Sequence, residues 1–150
     1  MPHQLLDIAK LKVGDSASLS RTISESDIYQ YAGITGDMNP VHMDEEYARQ
    51  TPFGGRIAHG MLCAGLVGAV MGMKLPGPGA IYQGQTLSFL APVRIGDTIT
   101  ATAEIIEIGP KKKSAQLKTT CINQNGVAVL EGVASVLLPR KRRVDDTTSQ

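Results

Sequence analysis

The sequence is poor in aromatic residues and cysteine. It has no tryptophan, four tyrosines, two phenylalanines and two cysteines in 150 residues. Cys63 and Cys121 both lie in apolar segments, which predicts buried, reduced thiols rather than a disulfide framework. The two cysteines and three histidines also lack the paired spacing of metal ligands, so the sequence predicts no metal site.

The sequence also lacks an excess of charge and a long apolar run. Fifteen basic and fourteen acidic side chains give a net charge of +1, which excludes a global field that would hold nucleic acid or an anionic membrane. The longest apolar run, residues 61–73, is shorter than the roughly 20 residues that span a bilayer. Residues 1–7 show neither a charged leader nor an apolar signal region. We therefore expect a cytoplasmic protein with no nucleic-acid or membrane partner.

The remaining pattern predicts one α+β domain over residues 1–138, followed by a polar tail at 139–150. A Ser-x-x-Asp capping pattern at Ser24 begins a helix that should end near Gly33. From residue 80 onward the apolar residues alternate, with a bulge predicted near Ile105 and a hairpin at Asn125-Gly126. Runs of helix followed by runs of strand favour an antiparallel sheet with a helix on one face. The other predicted elements are an edge strand at 16–23, a short helix at 43–49 and an apolar helix from residue 60.

The segment 36–44 places an acid and an imidazole close together. Asp37 and His42 are separated by Pro40, which predicts a tight turn rather than a helix between them. Such a turn can point both side chains into one pocket, as acid–base chemistry on a water molecule requires. Apolar surroundings raise the pKa of a buried carboxyl group and lower that of a buried imidazole. Taken alone, the pattern is also common as an Asx turn followed by a surface histidine.

The second segment, 53–62, opens the apolar helix at Gly60. This helix is apolar on every side, which predicts that other structure wraps it completely. A backbone N–H at a helix N-terminus can stabilise negative charge that develops during a reaction. Glycine has no Cβ, so a reacting group can approach the N–H of Gly60 closely.

Together the two segments resemble the signature of the MaoC-like dehydratase family, specifically its (R)-specific enoyl-CoA hydratases. The resemblance rests on the Asp-x-Asn-Pro-x-His core from Asp37, the acidic stretch at 44–48, and the Phe-Gly-x-x-Ile-Ala-His-Gly-Met-Leu run from Phe53. It spans residues 10–138. The resemblance implies a hot-dog fold, in which an antiparallel sheet wraps a central apolar helix, and it implies a homodimer.

The resemblance also implies a reaction, in which water adds reversibly to trans-2-enoyl-CoA to give (R)-3-hydroxyacyl-CoA. No cofactor is expected, because coenzyme A is part of the substrate. Asp37 and His42 would form the catalytic pair, with the roles of base and acid left open, and Gly60 would stabilise the thioester oxygen. The residues expected to bind substrate are Asn39, Phe53, Ile57, His59 and Met61.

Two alternatives stay open at this point. A hot-dog acyl-CoA thioesterase would direct water at the thioester carbonyl instead of the double bond. A non-catalytic acyl-CoA binding module would leave a costly polar pair in an apolar tunnel unexplained. The sequence does not choose among Arg56, Arg94 and the basic clusters 111–113 and 140–143 as partners of the coenzyme A phosphates. It is equally silent on acyl length and on a role in polyester synthesis or in fatty acid metabolism.

Overall fold

The computed structural model of the protein describes residues 7–139. His3, the basic cluster 140–143 and all of the predicted tail except Pro139 lie outside the described residues.

The described chain contains a helical first half and a strand-rich second half. The α-helices are α1 (Glu25–Thr35), α2 (Pro40–Met43), α3 (Glu45–Arg49) and α4 (Gly60–Met73), and short 3-10 helices cover Ile8–Lys10 and Pro110–Lys112. The strands are β1 (Ser16–Thr22), β2 (Ile81–Gln85), β3 (Ser88–Phe89), β4 (Thr98–Ile108), β5 (Ser114–Ile122) and β6 (Ala128–Leu137).

All six strands form one antiparallel sheet with the order β1-β4-β5-β6-β2, and β3 also pairs with β6. Strand β1 lies at an edge, as the sequence predicts. In β4, alternate side chains from Ile99 to Ile105 are buried, which places them on the core face. The β4–β5 register shifts between Ile105 and Glu107, so the predicted bulge is confirmed.

Helix α1 begins where the capping pattern predicts and ends later. The Ser24 side chain accepts a hydrogen bond from the Asp27 N–H, and the Asp27 carboxylate accepts one from the Ser24 N–H. The predicted end near Gly33 is wrong, because the helix continues to Thr35. Gly36 ends it instead, with the left-handed conformation (φ 79°) that glycine adopts without a steric penalty.

Helix α4 packs on one face of the sheet, mainly against β4. Its buried side consists of Cys63, Val67, Val70 and Met71. The prediction of a completely wrapped helix is wrong for the single chain, because Met61 and Met73 on its other side are 53% and 64% exposed. An antiparallel sheet packed on a central apolar helix is the arrangement of the hot-dog fold, so the predicted fold class is confirmed. No helix in residues 7–139 has both the length and the apolar character needed to cross a membrane.

Candidate active site

The segment between α1 and α3 carries the first predicted motif. Pro40 is the first residue of the one-turn helix α2, so the prediction that this segment contains no helix is wrong. Proline suits this position, because the first N–H groups of a helix have no intrahelical partner. The Asn39 side chain accepts a hydrogen bond from the Val41 N–H at 3.1 Å and thereby caps α2. Asn39 is not among the residues that line the neighbouring cavity.

His42 lies in α2 with 8% of its surface exposed. Its Nδ1 atom is 2.7 Å from the carbonyl oxygen of Ile57. Because a carbonyl only accepts hydrogen bonds, Nδ1 carries the hydrogen, and the neutral ring has its lone pair at Nε2. Burial lowers the pKa of His42, and the nearby His59 ring lowers it further, against the opposing effects of the Ile57 carbonyl and Asp37. The predicted direction is therefore confirmed for the imidazole.

Asp37 is exposed in the single chain, so the predicted burial of the acid is wrong there. Its Oδ1 atom accepts a hydrogen bond from the Asn39 N–H at 3.2 Å. Its backbone carbonyl oxygen is 3.0 Å from Nε2 of His59. One nitrogen from each of His42 and His59 and one carboxylate oxygen of Asp37 all lie within 4.8 Å of one another. The structure thus brings the predicted acid and imidazole together.

His59 borders the same cavity as this pair, but its side chain is almost completely buried. It is 2% exposed, and its ring centroid is 3.9 Å from that of His42 and 4.6 Å from that of Tyr31. Its Nε2 bonds the Asp37 carbonyl, and its buried Nδ1 has no hydrogen-bond partner in the described part of the chain. Nε2 of His59 donates its hydrogen to the Asp37 carbonyl and Nδ1 is buried, so His59 is poorly placed to bind a metal ion. Only two of the three clustered residues, Asp37 and His42, could then act as metal ligands. Catalytic zinc sites use three protein ligands, so we interpret the cluster as an acid–base site.

Gly60 is the first residue of α4 and lies against the ring of Phe89. A Cβ built on Gly60 would be 2.6 Å from a Phe89 ring carbon, closer than any normal contact. No side chain caps this helix N-terminus, and the Gly60 N–H has no hydrogen-bond partner among the described residues, whereas the Leu62 N–H bonds the His59 carbonyl at 3.1 Å. Gly60 therefore presents a bare N–H beside the cavity, as the sequence predicts for this position.

These residues border a cavity of about 380 Å³. Seven of the eight predicted site residues line it, all except Asn39. The walls that β3, β6 and the segment between β3 and β4 supply were not predicted from the sequence. Ala58 lies within the second motif and Cys63 just after it, whereas no motif marks the lining residues from 89 onward, because only the pairing of β3 with β6 brings these to α4. The lining residues that were missed are Ala58, Cys63, Phe89, Leu90, Ala91, Pro92, Val93, Val129 and Leu130.

Arg56 is engaged with side chains of the helical half. Its guanidinium group is 2.7 Å from the Glu25 carboxylate and 3.3 Å from the Glu45 carboxylate. It also donates to the hydroxyl oxygen of Tyr29, and 12% of its side chain is exposed. The hydrogen bonds to Glu25 and Tyr29 raise the pKa of Arg56 above its usual range. We therefore assign Arg56 to joining α1 and α3, next to the Ile57 carbonyl that holds His42.

Arg94 and Lys112 are also engaged within the chain, but they donate to backbone carbonyls instead of side chains. Arg94 bonds the carbonyls of Phe53 and Gly55 at 2.6 and 3.3 Å, which anchors the loop at the mouth of the cavity. The Lys112 ammonium bonds the carbonyls of Ala9 and Leu11 at 2.9 and 3.1 Å. Both side chains thus hold loops in place.

The chain is similar in sequence to a known family model and to a known enzyme. The family model described as MaoC like domain matches residues 11–126. The (R)-specific enoyl-CoA hydratase of Rhodospirillum rubrum is 55% identical over 131 residues, which cover 87% of this chain and 90% of that protein.

Two solved structures have the same fold. The unliganded R-hydratase PhaJ1 from Pseudomonas aeruginosa superposes with a TM-score of 0.85 at 42% identity, covering 91% of this chain and 87% of that one. The (R)-hydratase from A. caviae involved in PHA biosynthesis gives a TM-score of 0.83 at 40% identity, covering 87% of this chain and 98% of that one.

Proposed function

The chain belongs to the MaoC-like domain family, and from this membership and the site geometry we propose that it is an (R)-specific enoyl-CoA hydratase. It adds water reversibly to a trans-2-enoyl-CoA and gives the (R)-3-hydroxyacyl-CoA. One observation carries the proposal: an exposed carboxylate and a buried imidazole meet at the wall of an apolar cavity. The reaction needs no cofactor other than the coenzyme A that the substrate carries.

His42 takes the role of base in this proposal. Its Nδ1 hydrogen is held by the Ile57 carbonyl, so Nε2 has the lone pair that can accept a proton from water. Burial lowers the pKa of His42, which keeps this nitrogen free near neutral pH. The Asp37 carboxylate accepts the second hydrogen of the same water and orients it.

The addition of water moves electrons to the thioester oxygen and then a proton to the α carbon. As the water oxygen bonds to the β carbon, the electrons of the double bond move to the thioester oxygen as an enolate. The N–H of Gly60, at the N-terminus of α4, donates a hydrogen bond to that oxygen. His42 then returns the proton to the α carbon, which completes the addition of water and restores the neutral imidazole.

The apolar walls of the cavity take the acyl chain. Phe53, Ile57 and Met61, which the sequence proposes as substrate contacts, lie on these walls with Phe89. Burying an acyl chain among such side chains contributes roughly 0.8 kcal/mol per methylene group. The side chain of Asn39 shapes the turn through its cap on α2.

Incubation of the purified protein with crotonyl-CoA tests the activity. We expect the enoyl absorbance to disappear without release of free thiol, and the product to be (R)-3-hydroxybutyryl-CoA. Release of free thiol would identify a thioesterase. Binding without any turnover would identify the non-catalytic module, and an (S) product would contradict the stereochemical assignment.

We further propose that the protein is a cytoplasmic homodimer. Strand β2 is a sheet edge on which Ile81 and Tyr82 are 50% and 43% exposed, and α4 exposes Met61 and Met73 beside small residues. A second copy would cover both features and remove the unpaired edge. Light scattering should then give twice the 16.0 kDa of one chain, whereas a monomer mass would contradict this assembly. The cytoplasmic assignment is supported by the buried free thiols of Cys63 and Cys121.

A further inference from the structure

His59 contacts both proposed catalytic residues, yet it is almost completely buried. Its Nε2 lies 3.0 Å from the Asp37 carbonyl oxygen, and its ring is stacked on that of His42. With 2% of its surface exposed, it has little area with which to touch a substrate. Resting on the proposed function, we propose that His59 is a positioning residue that holds the Asp37 backbone and the His42 ring in their reactive arrangement.

The hydrogen bond to Asp37 explains why a histidine occupies this buried position. A carbonyl oxygen only accepts, so Nε2 of His59 must carry the hydrogen, which fixes the ring as one tautomer. The same tautomer leaves Nδ1 as a buried acceptor without a partner among residues 7–139. An apolar ring would avoid that unsatisfied atom and would lose the bond to Asp37. The presence of a histidine here, despite its unsatisfied Nδ1, therefore indicates that the hydrogen bond from Nε2 to the Asp37 carbonyl is needed to hold the Asp37 backbone.

The stacking contact fixes His42 from a second direction. The Ile57 carbonyl holds the edge of the His42 ring at Nδ1, while His59 packs on its face with an interplanar angle of 32°. The groups that face His42 are thus His59, Asp37 and the Ile57 carbonyl. Of these, His59 lowers the pKa of His42 in the same direction as burial does. The stack accordingly favours the neutral ring that the proposed mechanism uses.

Tyr31 supports His59 from the opposite side. Its ring centroid is 4.6 Å from that of His59, at an interplanar angle of 50°. Tyr31, His59 and His42 therefore form a row of three rings that connects α1, the residue before α4, and α2. Because His59 lies in the middle of this row, displacement of its ring removes support from His42.

Two substitutions separate the two contacts. His59→Phe keeps a ring for stacking and removes the donor to Asp37, whereas His59→Gln keeps a donor at a similar distance and removes the ring. With crotonyl-CoA we expect each variant to lower kcat about 10-fold, the size of one lost hydrogen bond or packing contact, with KM little changed. His59→Ala loses both contacts, and its kcat should fall on the order of 10²-fold. In His59→Gln, the acidic limb of the pH profile should move to higher pH.

Imidazole NMR of the substrate-free protein tests the arrangement without any assay. We expect wild-type His59 to show the Nε2–H tautomer, and His42 to titrate at a higher pH in His59→Gln than in the wild type. If the wild type fails to hydrate crotonyl-CoA while these signals behave as expected, the proposed function fails and the positioning arrangement stands. Wild-type kcat, pH profile and His42 titration in folded His59→Phe and His59→Gln would overturn the proposal. A loss confined to melting temperature would overturn it as well, by showing a purely structural role.

Discussion

Replacement of Gly60 by alanine tests the proposed site for the thioester oxygen. The added Cβ would be 2.6 Å from the Phe89 ring, so the ring must move about 0.8 Å to reach an ordinary contact of 3.4 Å. Phe89 is 54% exposed and has room to move. The methyl group itself then holds the thioester oxygen away from the Gly60 N–H. Loss of one such donor costs on the order of 10² to 10³ in kcat, and we expect a fall of about 10²-fold.

The assay for this prediction is the loss of enoyl absorbance from crotonyl-CoA at saturating concentration. The matched control is Gly33→Ala, because Gly33 is exposed in α1 and a Cβ there meets nothing within 4 Å. This control should keep wild-type kcat and gain roughly 0.5–1 kcal/mol of stability, since alanine suits a helix better than glycine does.

A second variant separates the charge-stabilising role of Gly60 from its packing against Phe89. Phe89→Leu in the Gly60→Ala background removes ring atoms that the new methyl group would meet, so it should relieve the clash and still leave kcat low. Recovery of wild-type kcat in the double variant would show that Gly60 is needed only for packing. A kcat within 3-fold of wild type in Gly60→Ala alone, below the roughly 10²-fold expected for a lost donor, would refute the reasoning directly.

Three further predictions concern pH and packing. Because burial lowers the pKa of His42 from its ordinary 6.5, the acidic limb of kcat/KM should have its midpoint below pH 6.5, and an unshifted or higher midpoint would contradict a buried base. The unfolded state then binds more protons than the folded state just below pH 6.5, so melting temperature should decrease as pH falls through this range, and less steeply in His42→Gln. Gly132→Ala places a Cβ 1.8 Å from the Thr86 carbonyl oxygen, so β6 must shift; urea unfolding should show a loss of roughly 1–3 kcal/mol, and unchanged stability would contradict this close approach.

The elements of this fold were predictable where one local signal dominates. The capping pattern at Ser24, the alternation in β4 and the apolar helix from Gly60 are each encoded within a few residues. Ends and interruptions were harder to predict. Gly33 is compatible with a helix on an exposed face, so the helix passes it and ends at Gly36. Pro40 is compatible with a turn and with the first position of a helix, and the Asn39 cap decides in favour of the helix.

In the site, too, features encoded within a short segment were predictable and features that depend on packing between distant segments were not. The proximity of Asp37 and His42 follows from a segment of six residues and from the family resemblance. The cavity walls from β3 and β6 depend on strand pairing across more than 40 residues, which no local pattern encodes. Nor does the sequence show that Arg56 is paired with Glu25 and Glu45, since these three residues meet only when the helices pack. The burial of His59 behind His42 depends on the same packing.

The most direct test of the account is the turnover of crotonyl-CoA by Asp37→Asn, measured beside His42→Gln in protein whose melting temperature matches the wild type. Both side chains act on the reacting water, so each substitution should lower kcat on the order of 10² to 10⁴-fold. Turnover at the wild-type rate in either folded variant would contradict the claim that this carboxylate and imidazole together activate water.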